Sequence, residues 1–147
     1  MDVLAYNRTQ LNTERIKKIN KRTMVFILPP KASLGTFSRV LRFPYIGVIK
    51  DIYASCDSSG GDDTELSVEK CSQSVYDVLP VWESVLAYPV TIKANRRSSK
   101  TADIPYELAA GYEQINKDDH FRVVITKSGG ASNITVEVVV ELDTEID

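Results

Sequence analysis

His120 is the only histidine among 147 residues. A Ser-His-Asp or Cys-His catalytic arrangement would therefore have to run through it. It follows Asp118 and Asp119 at the start of an apolar run, where a polar residue entering a β-sheet is expected. No H-x-x-H, C-x-x-C or H-E-x-x-H spacing accompanies it, so no zinc site is expected. Asp57, Asp62, Asp63 and Glu65 offer the hard oxygens that calcium takes in sets of about six to eight. Their spacing departs from D-x-[DN]-x-[DN]-G, and a solvated acidic turn is the simpler reading. Gly60-Gly61 and Gly129-Gly130 sit between strand-like runs rather than in a phosphate-cradling motif. These residues point to a binding or structural protein, not an enzyme, with no metal and no cofactor.

Cys56 and Cys71 read as free, half-buried thiols. If residues 57–63 form a hairpin loop, Cys56 faces position 64 and Cys71 faces position 49. The sulfurs are then about seven residues apart on the ladder, roughly 23 Å, whereas a disulfide needs Cα atoms within about 7 Å. Trp82, Tyr76, Tyr88, Tyr106 and Tyr112 could stack on a sugar ring if gathered on one rim. Aromatic side chains are also favoured in strands, so core and edge packing competes with that role. A carbohydrate-binding or host-adhesion module using Trp82, Tyr76, Tyr106 and Tyr112 is the alternative function.

The elements that would position these residues are strands. Ile134, Val136, Val138, Val140 and Leu142 alternate with Thr135, Glu137 and Glu141, giving one dry and one wet face. With His120 to Thr126 and the turn 127–132, this run reads as a closing hairpin. Val139 breaks the polar face and is a candidate contact for a second sheet or a neighbouring subunit. Further strands are expected at 24–28, before Pro29-Pro30, and at 36–43, 46–55, 64–71, 81–87, 89–94 and 104–108. In the third of these, Ile46, Val48, Ile52 and Ala54 would share a face. Residues 95–100 read as an exposed basic loop. Many short strands with turn signals, and no helix in the body, indicate an all-β fold: an antiparallel β-sandwich, jelly-roll-like.

The chain divides into a basic N-terminal arm or short helix, 1–23, and a β-domain, 24–147. The arm holds six basic and two acidic side chains, a net +4, while the last eleven residues hold five acids and no base. Such polarity can steer assembly. The arm lacks aromatics interleaved with its basic residues to stack on bases, which disfavours nucleic acid. No run approaches the roughly 18 apolar residues that span a bilayer, so no membrane insertion is expected. The start, Met1 to Asn7, has neither a basic n-region nor an apolar h-region, so no signal peptide is expected.

Three segments together resemble small β-sandwich modules of bacteriophage virions, fibres and tails. They are Phe43-Pro44-Tyr45-Ile46-Gly47-Val48-Ile49-Lys50-Asp51-Ile52, Leu66-Ser67-Val68-Glu69-Lys70, and Lys117 through Val140. The likeness covers residues 36–142. It departs at Asp118-Asp119-His120, where the pattern has a Gly-Asp turn and an apolar residue. The resemblance implies a non-enzymatic virion protein, a decoration, fibre or tail accessory, made in the host cytoplasm. Its partners would be capsid, neck or tail proteins, and its own copies in an oligomer, a trimer being the first expectation. A host-surface glycan is a further candidate ligand. It also gives the arm a docking role, through Arg8, Leu11, Arg15, Ile16, Lys18, Ile19 and Arg22, with Val139 as a further contact.

Overall fold

A computed structural model describes residues 20–143. Arg8, Leu11, Arg15, Ile16, Lys18 and Ile19 lie outside the described residues. Among the described residues the fold is mostly antiparallel β-sheet, with 52% strand and 6% helix. The strands are β1 (Lys21–Ile27), β2 (Leu41–Phe43), β3 (Gly47–Ser58), β4 (Thr64–Cys71), β5 (Glu83–Ser84), β6 (Leu86–Tyr88), β7 (Val90–Ile92), β8 (Glu107–Leu108), β9 (Gln114–Ile115), β10 (Asp119–Lys127) and β11 (Ser132–Leu142). A short helix, α1 (Gln73–Tyr76), follows β4, and a 3-10 turn spans Ser99–Thr101. Sheet I has the order β1-β11-β3-β9. Sheet II has the order β2-β10-β4-β5, with β7 also on β4, and β6 pairs β8 in a small third sheet.

One hydrophobic cluster joins Met24, Phe26, Ile52, Ile134, Val136 and Val138 of sheet I to Leu66, Val68, Phe121, Val123 and Ile125 of sheet II. The alternation expected along β11 holds: Ile134, Val136, Val138 and Val140 are fully buried, while Glu137 and Glu141 are exposed. The partner expected for it does not hold. β10 and β11 lie in different sheets, so the closing segment is an arch between sheets rather than a hairpin. The same is true of β3 and β4. Alternation reports which face of a strand is dry but not which strand lies beside it. An arch brings the dry faces of both strands onto one core just as a hairpin would bring them onto one side of a sheet.

Other differences are local. β1 begins at Lys21, so Lys21, Arg22 and Thr23 belong to the sheet, opposite Glu141, Val140 and Val139. In β3 the buried positions are Gly47 and Ile49, then Ile52, Ala54 and Cys56. The register jumps from Val140–Ile49 to Val139–Asp51, and the extra residue, Lys50, reverses the inward phase expected for Val48. The strand expected over 36–43 shrinks to Leu41–Phe43. Before it, the Ser38 hydroxyl takes the N–H of Val123 at 2.8 Å and breaks the ladder. The body also contains a helix, α1, that its strand-like pattern did not signal. Asp118 has φ of 68°, a left-handed conformation that Asp tolerates better than most residues. It stands where the phage pattern has glycine, and Arg42 pairs with its carboxylate.

Candidate functional site

On β10, alternate side chains leave the core and form a ladder on the outer face of sheet II. His120 stands opposite Cys71, Arg122 opposite Glu69 and Val124 opposite Ser67. Arg122 is the centre. Its Nε donates to Glu69 Oε1 at 2.9 Å, and its guanidinium lies 4.0 Å from the Phe37 ring centre and 4.3 Å from that of Trp82. A planar, weakly hydrated cation suits such stacking, and a carboxylate at hydrogen-bonding distance neutralises it.

The rings arrive from two irregular segments. Phe37 bridges to Val124 on the β2 side of β10. Tyr76 comes from α1, and Pro80 then directs the chain towards Trp82 and β5. Tyr76 meets Trp82 edge-on, with centroids at 6.2 Å, and stacks on His120 at 3.8 Å and 14°. His120 is buried, and its Nδ1 has no hydrogen-bond partner among the described residues. The lone histidine therefore packs under a ring as part of the platform. Beside it, burial pushes the Asp119 carboxyl above the usual carboxylate range, against the opposing pull of the Asn116 N–H, Lys70 and His120.

The segments flanking this ladder expose several apolar side chains. Leu34, Phe37 and Val40 are exposed on one segment, and Val75, Val78, Leu79 and Val81 on the other, with Val78 85% and Leu79 74% exposed. An open cleft of about 300 Å³ lies alongside, with Leu86, Ala87, Pro89 and Val124 in its lining. Such a surface can bind by burial of apolar area around an Arg-aromatic centre, the composition of energetically dominant interface residues.

A second feature is the contrast between the edges of sheet I. The β3 edge is closed by the chain itself. Ile49 N–H donates to Glu113 O, Ile52 N–H to Tyr106 OH, Ala54 N–H to Ser99 Oγ and Cys56 N–H to Arg97 O, all at 2.9–3.1 Å. The loop expected to be merely exposed and basic is thus an edge seal with basic side chains turned outward. At the other edge, β1 pairs among the described residues with β11 alone. Its outer residues Val25 and Ile27 are 47% and 71% exposed, beside a groove of about 390 Å³ shared with Arg39 and Leu41.

The expected site residues are dispersed accordingly. Trp82 and Tyr76 meet at the ladder. Tyr106 donates to Asp51 Oδ1 at 3.0 Å and belongs to the edge seal; burial raises the pKa of its phenol. Tyr112 lies 5.2 Å under the Lys70 ammonium and packs on the core cluster. The four aromatics do not form one platform. Arg22 lies in β1, and Val139 is half-buried between Thr23 and Asp51. Cys56 and Cys71 are free, and both are buried rather than half-buried. Burial pushes the Cys56 thiol up, partly offset by Arg97. Two of the four carboxylates weighed for calcium accept from the backbone: Asp63 Oδ1 from Ala94 N–H and Asp62 Oδ1 from Asp63 N–H, both at 2.8 Å.

Arg122, Glu69 and Phe37 escaped the sequence reading. The available signals were an Arg at an outward position of an alternating strand and the run Val75 to Val81, too apolar for a solvated loop. Among the described residues no helix is long and apolar enough to cross a membrane. Compared with known proteins, the chain matches no protein-family model and no curated protein.

Proposed function

We propose that the chain is a non-enzymatic structural protein of a bacteriophage virion, a jelly-roll-like β-sandwich that docks on capsid, neck or tail proteins through its N-terminal arm. The observation that carries this reading is the unequal treatment of the two edges of sheet I. The chain seals β3 with its own loop, yet β1 keeps exposed Val25 and Ile27 beside a groove, and residues 1–19 enter the domain at that strand. A strand edge that is unpaired among the described residues and apolar beside it is a template for another chain. A basic arm leading into it extends the same contact.

The strand order supports the jelly-roll part of the proposal. β1, β2, β3 and β4 alternate between sheets I and II, as do β9, β10 and β11, around one core. A four-stranded layer and a five-stranded one, in which β7 is added beside the path β2-β10-β4-β5, filled in that alternating manner resemble the two layers of a jelly roll, an architecture used by viral capsid and lectin domains. That association is a fold-level analogy; the virion assignment leans on it and on the phage-like segments together. Mass spectrometry of purified particles from the phage that encodes the chain tests the reading. The protein should be present at a fixed copy number. Its absence from particles, while it accumulates in infected cells, would contradict the assignment.

A further inference from the structure

We propose that the free edge of β1 takes an added strand from a different protein: an extended, acidic segment, paired antiparallel, with a carboxylate on Arg39. The proposal rests on the reading of the β1 edge as a contact with another chain, and it names the chemistry of that chain.

Main-chain geometry sets where the strand lies. Leu28 N–H donates to Ile134 O at 3.0 Å. Hydrogen-bonded pairs alternate along an antiparallel ladder, so Phe26 and Met24 also turn their main-chain groups to β11. Thr23, Val25 and Ile27 turn theirs outward. Among the described residues no strand lies against these three, and no charge, proline or bulge guards the edge between them. Beside it, the groove of about 390 Å³ with Phe26 and Leu41 in its lining receives the inward side chains of the added strand.

Charge selects the occupant. From Asn20 to Phe43 the chain carries Lys21, Arg22, Lys31, Arg39 and Arg42 and no acid. Lys21 stands opposite Glu141, and Arg42 pairs with Asp118. Glu137, opposite Val25, is exposed on the outer face of sheet I. Arg39 is exposed, lines the groove and has no ion pair among the described residues. A second copy of this edge would bring cations to cations. The arm leading into β1 is basic as well, with Arg8, Arg15, Lys17 and Lys18 against Asp2 and Glu14 in residues 1–19. An acidic strand from another protein meets the outward main-chain groups, the groove and Arg39 together. Main-chain hydrogen bonds supply affinity in such strand addition, and side-chain pockets and charge pairs supply specificity.

The test titrates peptides into the ¹⁵N-labelled full chain and follows its amide signals. The probe is Ac-Val-Leu-Thr-Glu-Val-NH2, whose leucine and glutamate enter the groove when its threonine N–H faces β1. Saturable shifts are expected at the Thr23, Val25 and Ile27 amides, with a Kd below about 1 mM. Replacing the peptide's glutamate by lysine should weaken binding at least about fivefold, and Arg39→Ala should reduce that preference to less than about twofold. N-methylation of the peptide's threonine should abolish binding, whereas N-methylation of its leucine, whose N–H faces away, should be tolerated. Circular dichroism confirms that the Arg39→Ala chain is folded. No saturable shift at these amides up to about 2 mM peptide would overturn the proposal. So would equal binding of the glutamate and lysine peptides, a preference untouched by Arg39→Ala, or indifference to methylation of the threonine. A peptide-free dimer with the Val25 amide already protected would also overturn it, by giving the edge to a second copy. The titration uses the isolated chain, so its failure is distinct from absence of the protein from virions, which mass spectrometry of particles reads.

Discussion

Gly60 and Gly129 meet where the two inter-sheet arches cross. A Cβ on Gly60 would lie 2.2 Å from the Gly129 carbonyl oxygen, and one on Gly129 would lie 2.3 Å from the Asp62 carbonyl oxygen. Asp62 N–H donates to Gly129 O at 3.2 Å, and Gly129 N–H to the Thr64 hydroxyl at 3.1 Å. The β3–β4 connection is thus tied backbone to backbone to the β10–β11 connection.

Gly129→Ala and Gly60→Ala should each destabilise by upwards of about 2 kcal/mol, because the obstructing atoms are main chain and cannot step aside. Gly61→Ala, with open space around it, should change stability by less than about 1 kcal/mol. Urea midpoints of the three variants make the comparison. Equal effects at positions 61 and 129 would mean that the arches do not touch.

Ile134 is fully buried in the central strand β11. Ile134→Ala removes its packing with both sheets and should cost about 2–5 kcal/mol in chemical denaturation. Glu137→Ala, on the wet face of the same strand, should stay within about 0.5 kcal/mol.

The edge seal gives a local readout. Ser99→Ala strips the acceptor from the Ala54 N–H, a loss of about 1–3 kcal/mol if no water replaces it. Hydrogen exchange at Ala54 should accelerate while the amides of β11 keep their protection. Uniform acceleration would indicate global loosening instead.

Asp119 makes stability depend on pH in a definite direction. Burial raises its folded pKa, so its protonated form is the better tolerated one. Its contribution is fully present below the unfolded carboxylate value, about 3.9, and is lost as pH rises through the folded value. Asp119→Asn keeps an acceptor for the Asn116 N–H without the charge. It should raise the thermal midpoint at pH 7, and the gain should shrink as pH falls through the raised folded value and be gone below about 4. A gap constant with pH would show that the carboxylate charge is not the cause.

Much of this architecture was legible in the residues. The all-β class and the dry face of β11 follow from side-chain alternation, and the two free cysteines have no partner at bridging distance. Their separation had been argued from a β3–β4 hairpin that does not exist. The structure keeps both thiols free with Cys56 on sheet I and Cys71 on sheet II. Pairing was illegible because a Gly-rich connection can turn within a sheet or cross between sheets with the same composition. The phase of β3 was illegible because nothing in the residues around Lys50 marks a bulge. The Arg122 site was hidden for another reason: Phe37, Glu69, Tyr76, Trp82 and Arg122 come from four separate segments, and only the tertiary fold assembles them. The β1 edge was half visible, since the strand was expected at Met24 but extends back to Lys21.

That extension fixes where the arm can be removed. A cut after residue 23 would remove three paired residues of β1, whereas a cut after residue 19 leaves the strand whole. The decisive measurement is the copy number per purified particle of the chain lacking residues 1–19, against the full chain, each supplied during infection by a phage deleted for the gene. The full chain should incorporate at its normal copy number, and the truncated chain, folded and equally abundant in the lysate, should fall by at least about tenfold, about 1.4 kcal/mol or more of lost docking energy. Equal incorporation of the two would contradict docking through the arm.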